Sequence, residues 1–473
     1  MVHLLPVMER DQLRSAGATE PERIVLRQRE FFGSGATRDT AFRKEQLRRL
    51  KAAVASRETA ILEALHADLR KSAFEAYSTE VGLVYREISH ALRRVGRWAR
   101  SRRVPTDLFN LPGRSRVHPE PYGVSLIIAP WNYPFQLLFV PLVGALAAGN
   151  TAVVKPSEYA PRTAEVVDRI IGDAFPEQYV AAVQGGAETA KALTQLPVDH
   201  IFYTGSRRIG SKVMAAAAER LTPVTLELGG KSPTIVDETA NLDLAARRIV
   251  FGKSINAGQT CVAPDYLLVH ESVHDELLEK MAGAVAEFFG ESPQSHPRYS
   301  RIVNADHFDR LAGMIDASTV YLGGDMDRDD LYIAPTIMTD VTTEHPVMQD
   351  EIFGPILPVL RVSSLDDAVS VIGRHPKPLA LYLFTRSRAA ERKVLRSVAF
   401  GGGAVNTTIM HVASLHLPFG GVGPSGMGRY HGKASFDCFS NEKGVLRQPS
   451  FFDHGLAYPN SRAGLGVLKR VLK

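Results

Sequence analysis

The sequence predicts an α/β fold of two or three domains, and three observations support this. The chain has 473 residues, which is too many for one ordinary core. Short apolar runs alternate with helical stretches twice, from about Gly123 to Leu228 and from about Ser232 to Asn406. The runs are almost continuously apolar, as expected for parallel strands that are covered on both faces of a sheet.

The N-terminal part, residues 1 to about 105, shows apolar positions at helical spacing among many charges. We expect helices here, over Ala41–Glu58, Thr59–Leu69 and Ser78–Arg100.

Each alternating region contributes its own set of expected strands. In the first region they are Val124–Ala129, Thr151–Val154, Tyr179–Val183, His200–Tyr203 and Val224–Leu228. In the second they are Thr234–Val236, Tyr266–Val269, Ile356–Val362, Leu379–Phe384 and Ala404–Asn406. Ligands of such sheets bind at the carboxyl ends of the strands, so we look for functional residues there.

The composition excludes several classes of protein. The net charge is +5, from 56 Lys and Arg against 51 Asp and Glu, which is mild for this length. Seven arginines fall between Arg86 and Arg103, and we interpret them as a solvated helix face because no known nucleic-acid motif accompanies them. The two cysteines, Cys261 and Cys438, have no zinc-ligand spacing, so we expect no metal site, no disulfide framework and a cytoplasmic location. Residues 1–11 show no secretory signal pattern.

One apolar stretch is long enough to cross a bilayer. Residues 121–154 contain no charged residue and no histidine. However, we expect Pro130, Pro134 and Pro141 to break it, and polar side chains such as Asn132 and Asn150 would need partners in lipid. A buried strand, turn and helix is therefore predicted, with no integral membrane segment.

Cys261 is a candidate nucleophile. It follows Gly258 and precedes Pro264, so it lies in a loop between periodic segments. A thiolate attacks carbonyl carbon well, although an inert buried cysteine is the alternative reading. Glu227 is a candidate base, since a carboxylate at a buried strand end has a raised pKa. Pairing with Lys231 or a nearby arginine is an equal alternative for Glu227.

Two further strand ends carry candidate cofactor ligands. Gly205 and Ser206 lie between a strand and a helix, where backbone N–H groups can hold a pyrophosphate, but the G-x-G-x-x-G pattern is incomplete. Lys155 and Glu158 follow another strand and could bond ribose hydroxyls. A plain turn and solvated side chains remain the alternatives at these positions.

Seven motifs in a fixed order resemble the aldehyde dehydrogenase superfamily. They are PWNYPF at 130–135, KPSE at 155–158, FYTGS at 202–206, ELGGKSP at 227–233, GQTC at 258–261, EIFGP at 351–355 and PFGG at 418–421. The segments CVAPDY at 261–266 and GPSGMG at 423–428 look most like the class 3 branch, which acts on fatty and aromatic aldehydes. The resemblance spans about residues 41–445.

This resemblance implies a division of the chain. N-terminal helices over 1–105 would pack on a Rossmann-type NAD(P)-binding domain over 123–227, and 106–122 would begin a small β oligomerisation arm. A catalytic domain with its own α/β sheet would occupy 228–410. Residues 411–473 would return to the NAD domain, add an arm strand and form the C-terminal tail. A homodimer is also implied.

The resemblance implies a mechanism as well. Cys261 would attack the aldehyde, Asn132 and the backbone N–H of Cys261 would hold the oxyanion, and Glu227 would activate water to hydrolyse the thioester. Lys155, Glu158, Gly205, Ser206, Glu351 and Phe353 would bind the cofactor, which is NAD, with NADP possible. Two alternatives stand beside this reading. One is a coenzyme A-acylating or acyl-phosphate-reducing enzyme of the same fold, and the other is a non-catalytic binding protein that retains the fold.

Overall fold

The computed structural model describes residues 19–453, 458–459 and 464–471. The prediction that residues 1–11 carry no secretory signal concerns a segment outside these described residues. Within them, the helices are α1 Glu20–Gly33, α2 Thr40–Ser56, α3 Glu58–Leu69, α4 Ala73–Ala76, α5 Gly82–Trp98, α6 Gln136–Ala148, α7 Pro161–Ala174, α8 Ala187–Thr194, α9 Arg207–Ala218, α10 Leu242–Ser254, α11 His274–Phe289, α12 Ala305–Ala312, α13 Leu365–Gly373, α14 Arg388–Ser397, α15 Lys433–Cys438 and α16 Leu465–Val471.

The strands of the same residues form three larger sheets and a short hairpin. They are β1 Arg102–Val104, β2 Arg114–Pro121, β3 Val124–Ile128, β4 Thr151–Lys155, β5 Val180–Ala182, β6 His200–Thr204, β7 Val224–Glu227, β8 Pro233–Val236, β9 Tyr266–His270, β10 Val320–Leu322, β11 Met326–Asp327, β12 Tyr332–Ile333, β13 Thr336–Met338, β14 Ile356–Val362, β15 Ala380–Phe384, β16 Gly402–Val405, β17 Gly426–Met427 and β18 Ser440–Arg447. All ten predicted strands are present, with ends that differ by two residues or fewer.

The two largest sheets are mainly parallel. The first has the order β17-β7-β6-β3-β4-β5, and only β17 runs antiparallel to its neighbour. The second has the order β10-β13-β14-β9-β8-β15-β16, with only β10 antiparallel. Every residue of β3, β4 and β6 is buried, which explains their unbroken apolar character.

A third sheet is antiparallel and has the order β1-β2-β18, so it joins two segments that are far apart in sequence. Its first strand, Arg102–Val104, lies within residues 1–105, for which only helices were expected. The domain limits themselves stay a prediction.

The apolar stretch 121–154 is the strand, turn and helix that we predicted. Helix α6 is buried along its whole length and packs against α2, α5 and α15 and against β3 and β4. The expectation that Pro141 breaks this stretch was wrong, because Pro141 lies inside α6. Packing on every side of the buried helix outweighs the one backbone hydrogen bond that proline removes. Asn150 bonds the backbone of Gly123 and Phe439. None of the described helices has the length and apolarity needed to cross a membrane.

The predicted helix Ser78–Arg100 also differs from the structure at its start. A π-helical turn, Tyr77–Val81, separates α4 from α5. Such wide turns are rare and often occur at functional sites.

Candidate active site

The topology brings the predicted site residues to one place. Strand order in the first sheet reverses between β3 and β6, and ligands of parallel sheets bind beyond the carboxyl ends at such a point. Asn132 follows β3, Gly205 follows β6, and Glu227 is the last residue of β7. Cys261 precedes β9 in the second sheet, and Glu351 precedes β14. The site therefore lies where the carboxyl edge of one sheet faces the amino edge of the other.

The loop before Cys261 is tightly constrained. Asn256 and Ala257 adopt positive φ values of 51° and 49°, and Gly258 adopts 73°. A Cβ atom added to Gly258 would overlap the carbonyl oxygen of Gly354, so only glycine permits this loop to approach the loop of Glu351 and Phe353. Cys261 itself is half-buried.

Asn132 lies beside the nucleophile loop and is almost completely buried. Its amide Nδ2 donates to the carbonyl of Gln259 at 3.1 Å. Tyr133 lies next to it, with its hydroxyl 2.6 Å from Oγ1 of Thr260. Two consecutive residues of the turn after β3 thus contact the segment that leads into Cys261.

Glu227 is buried without compensation. Only 2% of the residue is exposed, and neither carboxylate oxygen has a hydrogen-bond partner among the described residues. Burial raises the pKa of Glu227 well above its usual value, and Arg429 opposes this only partly. The alternative, pairing with Lys231 or a nearby arginine, is not observed among the described residues: Nζ of Lys231 lies 2.5 Å from Asp265 instead, and Arg429 makes no hydrogen bond to Glu227.

Charge also shapes the thiol. Burial raises the pKa of Cys261, and the carboxylates of Glu351 and Glu227 raise it further. The pKa of Glu351 is itself raised to about 8, by burial and by the charge of Asp265, while the backbone N–H of Gly230 opposes the shift. A proton held on either carboxyl group would lower the negative charge around the thiol.

The segment of Glu351 and Phe353 is held by polar contacts on both sides. Asp265 accepts from the backbone N–H of Ile352 at 2.9 Å, and Arg310 donates to the carbonyl of Ile352 at 2.7 Å. The carboxylate of Glu351 fits directly against Gly229, where any Cβ would collide with it. Phe353 has a positive φ of 53° and meets the ring of Trp131 edge-on, with centroids 5.4 Å apart.

The remaining candidate ligands line the carboxyl edge of the first sheet. Lys155 is buried at the end of β4, and its Nζ lies 2.5 Å from Oε2 of Glu158, which is partly exposed. Ser206 caps α9 by accepting from the N–H of Ile209 at 3.4 Å. Thr204 is the last residue of β6, and its buried Oγ1 has no hydrogen-bond partner within the part of the chain that the structure describes. A helix N-terminus, a paired lysine and an unpartnered hydroxyl fit a dinucleotide with its pyrophosphate and ribose groups.

Several residues near the site were not found from sequence. Lys71 lies in the connection between α3 and α4, Glu75 in α4 and Glu80 in the π-helical turn, and the charge pattern of this region resembles that of any amphipathic segment, so no sequence signal separates them. The resemblance to aldehyde dehydrogenases also implies that Tyr133 and residues 406–411 line the substrate tunnel, and this stays a prediction. The side chain of Asn406 is engaged with the backbone of Thr385. Both ring nitrogens of His411 are buried and lack partners among the described residues.

Comparisons with known proteins agree with this geometry. The Aldehyde dehydrogenase family profile matches residues 10–445. A relative named 4,4'-diaponeurosporen-aldehyde dehydrogenase, from Staphylococcus aureus, is 49% identical over 445 residues, which cover 94% of this chain and 97% of that protein. Aldehyde dehydrogenase family 3 member A2 of Mus musculus is 46% identical over 425 residues, covering 90% of this chain and 88% of that protein.

Solved structures of aldehyde dehydrogenases also resemble this chain. The substrate-bound state of Staphylococcus aureus AldH superposes with a TM-score of 0.94 at 47% identity, covering 96% of this chain and 100% of that chain. An indole-3-acetaldehyde dehydrogenase in complex with NAD+ superposes with a TM-score of 0.83 at 27% identity, covering 91% of this chain and 89% of that chain. The predicted α/β fold class and the likeness to the class 3 branch are confirmed. By both comparisons, the chain belongs to the aldehyde dehydrogenase family, whose members are enzymes that oxidise aldehydes with a nicotinamide cofactor.

Proposed function

We propose that this enzyme oxidises an aldehyde to the carboxylic acid through a thiohemiacetal and then a thioester on Cys261, with Glu227 activating the water that hydrolyses the thioester. One observation carries the proposal. The buried carboxylate of Glu227, which has no hydrogen-bond partner among the described residues, lies within electrostatic range of the Cys261 thiol in its constrained loop. Burying an uncompensated carboxylate is costly, and a raised pKa is what a general base near neutral pH requires.

Cys261 is the proposed nucleophile. Its thiolate adds to the aldehyde carbon, and the carbonyl oxygen becomes an oxyanion. We assign the oxyanion to the side-chain amide of Asn132 and the backbone N–H of Cys261. The fixed position of Asn132 supports this role, because a preorganised donor contributes about 3 kcal/mol to the stability of such a transition state.

Glu227 acts after oxidation. Its deprotonated carboxylate takes a proton from water, which attacks the thioester carbon, and Cys261 leaves as the thiolate. The carboxylic acid is then released. A coenzyme A-acylating enzyme or an acyl-phosphate reductase of the same fold has no need of a water-activating base, so the position of Glu227 favours hydrolysis.

The nicotinamide cofactor supplies the hydride acceptor when it is bound. We assign the adenosine ribose to Lys155 and Glu158, the pyrophosphate to Gly205 and Ser206, and the nicotinamide ribose and ring to Glu351 and Phe353. Glu158 favours NAD, because its carboxylate can accept from the ribose 2′-hydroxyl, and NADP is the alternative cofactor.

We further propose a homodimer located in the cytoplasm. Strand β18 is an edge strand of the third sheet, β1-β2-β18, and all of its residues except the first are exposed. This leaves an exposed strand edge for a second copy of the chain to cover. Both cysteines are free, as expected of a reducing compartment.

The first test is substitution of the nucleophile. Cys261→Ser should lower aldehyde-dependent NADH formation by roughly a thousandfold or more, because a hydroxyl is a far weaker nucleophile at neutral pH. Cys438→Ser is the matched control, since that half-buried thiol contacts Thr225, and its activity should be unchanged. Retained activity in Cys261→Ser would show that another residue attacks the aldehyde.

The second test separates the two half-reactions. Glu227→Gln should give a burst of NADH close to one equivalent per active site, followed by turnover slowed about 10²–10⁴-fold, because only hydrolysis needs the base. Stopped-flow absorbance measures both phases. An unchanged steady state would contradict the role of Glu227, and NADH formation that requires coenzyme A would identify an acylating enzyme instead.

The third test is the pH profile. Only the deprotonated forms of Glu227 and Cys261 act, and the pKa values of both are raised. Activity should therefore rise with pH from mildly acidic to alkaline conditions, with its midpoint above the usual carboxylate range. The rise in the hydrolytic phase should disappear in Glu227→Gln. A flat or falling wild-type profile would refute the assignment.

A further inference from the structure

An ion pair lies in the protein interior beside the site, between two residues that no motif includes. Nζ of Lys71 and Oε1 of Glu80 are 2.5 Å apart, and neither side chain has any exposed surface. Removing two charges from water costs more than a simple pair regains, unless further hydrogen bonds satisfy both partners. The further hydrogen bonds of Lys71 and Glu80 therefore show which parts of the structure the pair holds in place.

Glu80 binds the start of helix α6. Its Oε2 accepts from the backbone N–H groups of Phe135 and Gln136 at 2.9 and 3.2 Å. The first N–H groups of a helix have no partners within it, and water does not reach these because α6 is fully buried. A carboxylate satisfies them and also meets the positive end of the helix dipole.

Lys71 binds the turn that precedes the same helix. Nζ donates to the carbonyl of Asn132 at 2.8 Å and lies 4.0 Å from the ring centroid of Tyr133. Nδ2 of Asn256 donates to the same carbonyl at 2.8 Å. The backbone of Asn132 is thus held by two donors, while its side chain faces the loop of Cys261.

The unusual π-helical turn Tyr77–Val81 contains Glu80. Shortly before it, Glu75 accepts from the backbone N–H of Asn256 at 2.6 Å. One short segment of the N-terminal helices therefore contacts both the Asn132 turn and the loop that leads to Cys261.

We propose that Lys71 and Glu80 are positioning residues for oxyanion stabilisation, acting through the backbone of Asn132. The inference rests on the role proposed for Asn132 above. An oxyanion donor is effective only if it is held in place before the reaction, and displacement by about 1 Å can cost a hundredfold in rate. Lys71 and Glu80 together fix the turn from its carbonyl to the first N–H groups of α6.

A general effect on the stability of α6 is the competing explanation, and Arg43 provides its control. Arg43 is buried at the opposite end of the same helix, where its Nη1 donates to the carbonyl of Ala147 at 3.2 Å. Arg43→Met should destabilise α6 without disturbing Asn132.

The experiment is a double-mutant cycle between Lys71→Met and Asn132→Ala. The readout is the burst of nitrophenolate on acylation of Cys261 by p-nitrophenyl acetate, which forms an oxyanion and needs no cofactor. We expect Lys71→Met to slow the burst roughly tenfold to a hundredfold in the wild-type background. In Asn132→Ala the same substitution should change it less than about twofold. Arg43→Met should lower the thermal midpoint and leave the burst unchanged.

Each other outcome overturns the inference in a recognisable way. Equal slowing by Lys71→Met in both backgrounds would show that Lys71 does not act through Asn132. Slowing by Arg43→Met to the same extent would show a general helix effect. An unchanged burst in Asn132→Ala would refute the oxyanion assignment itself, and the inference would fall with it. If Lys71→Met does not fold, Lys71→Met with Glu80→Gln removes both charges, and the cycle is run with that pair.

Discussion

The close approach of two loops at the amino edge of the second sheet is the constraint on which the site depends. Gly258 lies against the carbonyl of Gly354, and only a residue without a side chain fits there. This contact brings the loop of Cys261 next to the loop of Glu351, although the two precede different strands. The first sheet then supplies Asn132 and Glu227 from its carboxyl edge.

The buried charged residues around this contact fall into two groups, those with an ion-pair partner and those without a hydrogen-bond partner. The pairs Lys71–Glu80 and Lys231–Asp265 are buried, compensated and bonded to backbone groups of neighbouring loops. Glu227, in contrast, is buried without a hydrogen-bond partner among the described residues. The paired charges hold the loops in place, and the carboxylate of Glu227 keeps the raised pKa that the proposed proton transfer requires.

The sequence predicts the strands well because buried parallel strands leave continuous apolar runs with clear ends. It also offers Cys261 and Glu227 as candidates, since strand ends and glycine-bounded loops are where catalytic groups are expected, and their catalytic roles stay a prediction. It does not predict the Lys71–Glu80 pair, because the contacts with Asn132 and Phe135 join segments separated by more than fifty residues. The partner of Lys231 could not be predicted for the same reason, because Lys231 lies in the loop between β7 and β8 and its partner Asp265 in the loop before β9. Pro141 was misjudged because local propensity was weighed without the packing around α6.

In the proposed mechanism, Cys261 carries the acyl group until water activated by Glu227 hydrolyses the thioester. The most direct measurement is the mass of the Cys261 peptide after Glu227→Gln reacts with NAD+ and the best substrate from a panel of aliphatic and aromatic aldehydes. We expect this peptide to gain the mass of the acyl group, while the Cys438 peptide is unmodified. NADH formation without any acyl mass on Cys261 would contradict it.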